Sequence, residues 1–220
     1  HQERGADDER REDEPGGAFE AVRASGAPDA RMCVVTALDE ARRLLGELRR
    51  FEGIEWRAAD LDQAAIADLL CESHCLVHPT LAESFGVVVL EALAAGCAVI
   101  TSAMASLPEL VTKANGILLP VPFSTVVGEF PIPMFGNATA ISRLMDRANL
   151  SALERDLTEA MVALATDRGL RVRLQQSARD LYDQRFSRAA WLERMRVDLG
   201  ASFPDLVPRL PLGSGHHHSH

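Results

Sequence analysis

The sequence predicts an α/β fold: a Rossmann-like parallel sheet with helices on both faces and a helical C-terminal end. Three observations carry that expectation. Short apolar, β-branched runs (Arg31 to Thr36, Ile54 to Ala58, Leu76 to His78, Cys97 to Thr101) alternate with helical patterns, the order that winds a parallel sheet. Phe85 to Ala95 is apolar on every face except at Glu91, as in a helix flanked on all sides by protein. From Thr139 onward the patterns are helical only.

The elements follow in order. Residues 1–17 carry seven acids and three arginines and almost no apolar side chains, so they read as a solvated, disordered arm. Ala18 to Ser25 reads as the end of a helix, and Gly26-Ala-Pro-Asp as a turn. Arg31 to Thr36 is expected to be a buried strand, then Asp39 to Phe51 an amphipathic helix with Ala41, Leu44, Leu45 and Leu48 on one face, stopped at Gly53. Ile54 to Ala58 is the next strand. Asp60 or Asp62 can cap the helix whose stripe is Leu61, Ala65, Ile66, Leu69 and Leu70. Leu76-Val77-His78 is a strand stopped by Pro79, which cannot donate to a ladder. Thr80 to Ser84 form a polar loop, and Gly96 ends the helix that starts at Phe85. Cys97 to Thr101 is a strand, and a short helix and a last strand complete the stretch to Leu119.

Pro120 to Asn137 holds four prolines, two glycines and three phenylalanines and reads as a loop packed on the surface, with a lid as the alternative. Thr139 to Ala148 reads as a short helix, and Ser151 with Glu154 as a capping box for a helix to Thr166. Asp167 to Phe186 is a further helix with Leu170, Leu174, Ala178 and Leu181 inward. Ser187 can cap the last, through Trp191, Met195 and Leu199 to a stop at Gly200. The expected organisation is an acidic arm at 1–17, one domain at 18–200 and a tail at 201–220, whose final Gly/Ser/His run reads as an uninformative terminus.

Composition excludes several classes. With 220 residues, 47% apolar and 25% charged, the chain fits one domain with a sizeable core. A net charge of −9 argues against non-specific nucleic-acid binding. No apolar run reaches membrane-spanning length and no signal-like start is present, so the expected compartment is the cytoplasm. The first residue is His1 rather than Met, which reads as a fragment or processed product. Cys33, Cys71, Cys75 and Cys97 lie in or beside apolar runs and are expected as buried thiols, not a disulfide framework. Cys71, His74, Cys75 and His78 match no standard zinc spacing, so no metal is expected.

Chemistry concentrates between His78 and Glu91. Glu83 sits in the loop and Glu91 eight residues later, expected about two turns into the helix. Gly86 lacks a Cβ and admits a ligand close to the backbone. The N–H groups of Ser84 to Val88 are expected to point out of a helix N-terminus, where an anion is favoured by roughly 0.3–1 kcal/mol. A carboxylate beside an anion site suits a ligand that also carries hydroxyls, so the combination suggests a phosphorylated sugar-like molecule.

Glu83-Ser-Phe-Gly, four residues, then Glu91-Ala-Leu-Ala-Ala-Gly resembles the E-x7-E signature of retaining glycosyltransferases of the GT-B fold, closest to glycosyltransferase family 4. Linked blocks extend the resemblance: His78-Pro79, Ala98-Val-Ile-Thr101, Leu107-Pro-Glu-Leu-Val111, Asn115-Gly-Ile-Leu-Leu119 and Arg185-Phe-Ser187. It covers about Ala18 to Leu199 and implies the C-terminal, donor-binding half of such an enzyme. In the family, a strand, a glycine-rich turn and a basic pair precede this point; here an acidic arm stands there, and no lysine occurs before Lys113. The resemblance also implies an N-terminal acceptor domain, which these residues do not match, so the chain is expected to be a fragment of a longer enzyme.

The resemblance implies a retaining transfer of a hexosyl group from a nucleotide diphosphate sugar to an unknown acceptor, with no metal cofactor. Glu83 would contact the donor sugar as the catalytic residue. Ser84, Phe85 and Gly86 would offer backbone amides, Glu91 would accept from the ribose hydroxyls, and His78 and Val87 would lie beside the donor. Outside that context Glu91 would read as a half-buried glutamate paired with an arginine, Glu83 as a loop acid, Glu109 as a first-turn helix charge and His78 as a histidine at the sheet edge. The alternative is a non-catalytic nucleotide-sugar-binding or scaffold domain. A nicotinamide enzyme is disfavoured, because no G-x-G-x-x-G follows the first strand. The isolated chain is expected not to turn over.

Overall fold

The structure, a computed structural model, describes residues 15–39, 52–81, 83–121 and 147–202. Helix α1 (Pro15–Ala24) leads through a turn at Gly26 into β1 (Met32–Thr36), which pairs in parallel with β2 (Ile54–Ala58). Then come α2 (Gln63–Glu72), β3 (Cys75–His78), α3 (Val87–Ala95), β4 (Ala98–Ser102), the single turn α4 (Leu107–Leu110) and β5 (Gly116–Leu119). The chain closes with α5 (Arg147–Thr166), α6 (Arg168–Leu181), a π-helical turn (Tyr182–Phe186) and α7 (Arg188–Ser202). Among the described residues the strands form two parallel sets, β1-β2 and β3-β4-β5.

Strand β4 is the centre. It pairs with β3 on one edge (Leu76 opposite Val99) and β5 on the other (Ile100 opposite Ile117), and all five of its residues are buried. Alternate side chains of a strand point to opposite faces. Val99 accordingly joins Leu70, Val89, Ala92, Leu93, Leu107 and Leu110, from α2, α3 and α4. Ala98 and Ile100 join Phe19 and Val22 of α1, Met161 and Leu164 of α5, and Leu174 of α6 on the other side. Met32 and Ile54 pack against this second cluster, so both sets of strands rest on one core. Helices on both faces of parallel strands are the expected architecture.

Local signals explain the boundaries. Asp62, rather than Asp60, caps α2, accepting from the Ala65 N–H at 2.8 Å; Asp167 caps α6 through Leu170 N–H at 2.8 Å. Gly96 ends α3 at φ 77, and the N–H groups of Gly96 and Cys97 bond Leu93 O and Ala92 O, the Schellman pattern. The Ser187 hydroxyl accepts from Ala190 N–H at 3.2 Å at the start of α7.

Several expectations are corrected. Pro15 to Gly17, assigned to the acidic arm, begin α1, where proline's fixed φ suits a first turn. β1 is only half-buried, with Val35 41% exposed. The helix expected from Ser151 starts at Arg147, so Ser151 lies inside α5 and is not its cap. Gly200 does not stop α7, which runs to Ser202. No residue of α7 is buried, and Trp191, Leu192 and Met195 are exposed. Cys71 is exposed rather than buried. The helix expected at Asp39 to Phe51 lies, from residue 40, outside the described residues, as do the arm at 1–14, the proline-rich loop from residue 122, the start of the Thr139 helix and the tail from residue 203.

Gly116 opens β5 where a Cβ would collide with Val99 O and come within 2.6 Å of Val111 Cγ1. Backbone cannot yield there without opening the β4–β5 ladder. Gly116→Ala is therefore expected to destabilise the fold by about 2–3 kcal/mol, read as a lower denaturation midpoint at unchanged slope. Wild-type stability in that variant would contradict the packing described.

Candidate functional site

The parallel strands bring their C-terminal ends to one edge, where His78 ends β3 and Ser102 ends β4. Thr101 Oγ1 donates to His78 O at 2.9 Å and ties the two strand ends together. Beyond β3 the loop turns sharply into α3. The helix begins at Val87 instead of Phe85, because Gly86 is its N-cap and adopts φ 84, a left-handed conformation that glycine accommodates. A Cβ there would also meet Leu107 Cδ2 at 2.6 Å.

The expected site residues do not all do what the sequence suggested. His78, Glu83, Ser84 and Phe85 come together: Glu83 Oε2 lies 3.2 Å from His78 Nε2, and Glu83 Oε1 accepts from Ser84 N–H at 2.8 Å and Phe85 N–H at 3.3 Å. The amides of Ser84 and Phe85, expected to be free, thus hold a carboxylate from their own loop. Val87 and Val88 open the helix, so their N–H groups have no intrahelical acceptor. Glu91 is one turn into α3, not two, and is held separately, its Oε1 accepting from Gln63 Nε2 at 3.2 Å. Its partner is a neutral amide from α2, not an arginine. α3 is not enclosed on all sides either: Val87 is 60% exposed, and Phe85, just before it, 50%.

Electrostatics follow from these contacts. Burial alone would raise the Glu83 carboxyl; the His78 hydrogen bond and the backbone N–H groups of Ser84, Gly86 and Phe85 outweigh it and hold the group below the ordinary carboxylate value. Among the described residues no arginine or lysine pairs with Glu83 or Glu91. Arg23 is engaged by Glu52 at 2.9 Å and by Pro28 O at 2.8 Å. Burial pushes the Cys75 thiol to about 12 and the Cys97 thiol to about 11, which leaves both protonated at neutral pH. Among the described residues no three metal-ligating side chains converge, and no helix is long and apolar enough to cross a membrane.

Sequence reasoning missed the loop after β4. Ser106 Oγ donates to both Ser84 O (3.1 Å) and Phe85 O (2.8 Å), and Ala105, before it, has φ 47. A left-handed alanine costs on the order of 1 kcal/mol. Nothing in a lone Ala-Ser pair announces such a contact. Gln63 was equally unmarked.

The architecture is one of parallel strands covered by helices, with a loop and helix N-terminus at the strand ends, and it is shared with solved glycosyltransferase structures. A family model described as "Glycosyl transferases group 1" matches residues 17–124, a segment that contains the whole His78–Glu91 region. Among solved structures, WaaG, "a glycosyltransferase involved in lipopolysaccharide biosynthesis", is similar at TM-score 0.52 and 20% identity over 83% of this chain and 42% of that one. The C-terminal domain of a glycosyl transferase group 1 family protein, LpcC of Francisella tularensis, has TM-score 0.50 and 21% identity, covering 78% of each chain. Anabaena Alr3699/HepE, solved with UDP and glucose, has TM-score 0.54 and 16% identity, over 83% of this chain and 44% of its own. The chain therefore spans less than half the length of WaaG and HepE. These likenesses show a shared fold. A comparison with curated proteins gives no match.

The Glu83 contacts predict an acid-sensitive loop. A carboxyl depressed in the folded state adds stability above its unfolded value of about 4.3, lost as pH falls through the lower folded value. Urea denaturation at pH 6 and pH 3 is expected to show a smaller acid loss for Glu83→Gln than for wild type. Equal losses would contradict the hydrogen bonding described.

Proposed function

We propose that this chain is the donor-binding domain of a retaining glycosyltransferase, transferring a hexosyl group from a nucleotide diphosphate sugar. The observation that carries the reading is the loop–helix junction at residues 83–88, which already seats a carboxylate on backbone N–H groups at the C-terminal edge of the sheet. It lies within the segment matched by the glycosyl transferase model. In this reading the Glu83 carboxylate stands where a donor anion would be received. As donor binds, Glu83 turns from the amides to the sugar hydroxyls, leaving Ser84, Phe85 and Gly86 N–H for the diphosphate.

In the transfer the bond between the anomeric carbon and the diphosphate oxygen breaks, the acceptor hydroxyl oxygen bonds to that carbon on the same face, and the hydroxyl proton passes to the departing diphosphate. Negative charge grows on the departing diphosphate. Fixed N–H dipoles and the helix N-terminus at Val87 and Val88 stabilise it most at that moment, because they need no reorganisation. Glu91 accepts from the ribose hydroxyls, bonds roughly twice as strong as neutral ones, and Gln63 holds its side chain in place beforehand. His78 orients Glu83. No metal is assigned a role.

A non-catalytic nucleotide-sugar-binding domain is the second reading, favoured by the lack of an arginine or lysine paired in the site among the described residues. Calorimetric titration with UDP, GDP and ADP tests the first. Saturable binding of one nucleotide, weakened about tenfold or more in Glu91→Ala by loss of charged hydrogen bonds, without sugar transfer by the isolated chain, is the expected result. No binding by a folded chain would overturn the donor-site reading.

A further inference from the structure

We infer that Ser106 is a positioning residue for the anion-receiving amides of the 83–86 loop. Its hydroxyl lies 3.1 Å from Ser84 O and 2.8 Å from Phe85 O, so one donor holds two successive carbonyls toward the β4–α4 loop. In a planar trans peptide the carbonyl of one residue and the N–H of the next point in opposite directions. Holding Ser84 O toward Ser106 turns the Phe85 N–H away from it, and holding Phe85 O does the same for the Gly86 N–H. Those N–H groups are the ones directed at the Glu83 carboxylate.

The geometry that places the hydroxyl is itself unusual. Ala105 at φ 47 is the one non-glycine with positive φ among the described residues, and it turns the chain so that Ser106 faces the loop. Behind it Leu107 is fully buried and packs where a Gly86 side chain would sit. Glu109 N–H bonds to Ser106 O at 2.9 Å, which anchors the serine at the start of α4. The two loops are thus interlocked by a hydroxyl clamp on one side and a missing side chain on the other. Ser106 acts through the peptide planes.

The inference rests on the donor-site reading for the identity of the anion, but its test can separate the two. In the full chain, the titration midpoint of the Glu83 carboxyl followed by NMR is expected to rise toward the ordinary value in Ser106→Ala and to stay near wild type in Ser106→Thr. UDP affinity is expected to fall about tenfold in Ser106→Ala, while uridine, which has no phosphate, loses none. Thermal unfolding measured alongside shows that both variants fold. An unchanged Glu83 midpoint in folded Ser106→Ala overturns the positioning role, as does an equal loss of UDP and uridine. A raised midpoint in a chain that binds no nucleotide upholds the positioning role and rejects the donor-site reading.

Discussion

Strand β4 is hydrogen-bonded on both edges and buried on both faces. Because no water reaches it, every polar group of its backbone must find a protein partner, and the two ladders supply them. That requirement sets the levels of β3 and β5, and hence of His78 at one strand end and the Ala103–Ser106 loop at the other. The helices follow from the same constraint: α3 and α4 cover the Val99 face, and α1 and α5 cover the Ala98 and Ile100 face. The polar loop carrying Glu83 emerges where β3 stops, beside the end of the buried β4.

Much of this frame was legible from residue patterns. β2 falls on the expected residues, Asp62 caps α2, Gly96 ends α3, and Ser187 caps α7. Each is a local signal with one strong physical solution. The misread boundaries are those where a local signal competes with a longer pattern. Ser151 and Glu154 have the spacing of a capping box, yet nothing in Arg147 to Leu150 breaks a helix, and a helix already nucleated propagates through them. Gly200 could have stopped α7, but a single glycine costs only about 1 kcal/mol inside a helix, and the helix runs on to Ser202.

The site was legible in its location and less so in its contacts. Glu83, His78 and the amides of Ser84 and Phe85 do meet, because a short loop leaves them no alternative. What the sequence could not show is which acceptor those amides hold, since Glu83 reaches back to them through its own χ angles. Glu91 and Gln63 are 28 positions apart, and Ser106 and Ser84 are 22 apart; such pairs are set by the docking of one element on another, without a local motif. The left-handed Gly86 delays the helix by two residues and thereby aims the amides.

In the proposed function the 83–88 junction receives the diphosphate of a nucleotide sugar. Amide hydrogen exchange of the full chain, with and without saturating UDP, tests this most directly. Slowed exchange is expected to concentrate at Ser84 to Val88 and extend to the turn around Glu91, with little change around Arg23 and Glu52. Protection centred elsewhere, with the 84–88 amides unaffected, would contradict it.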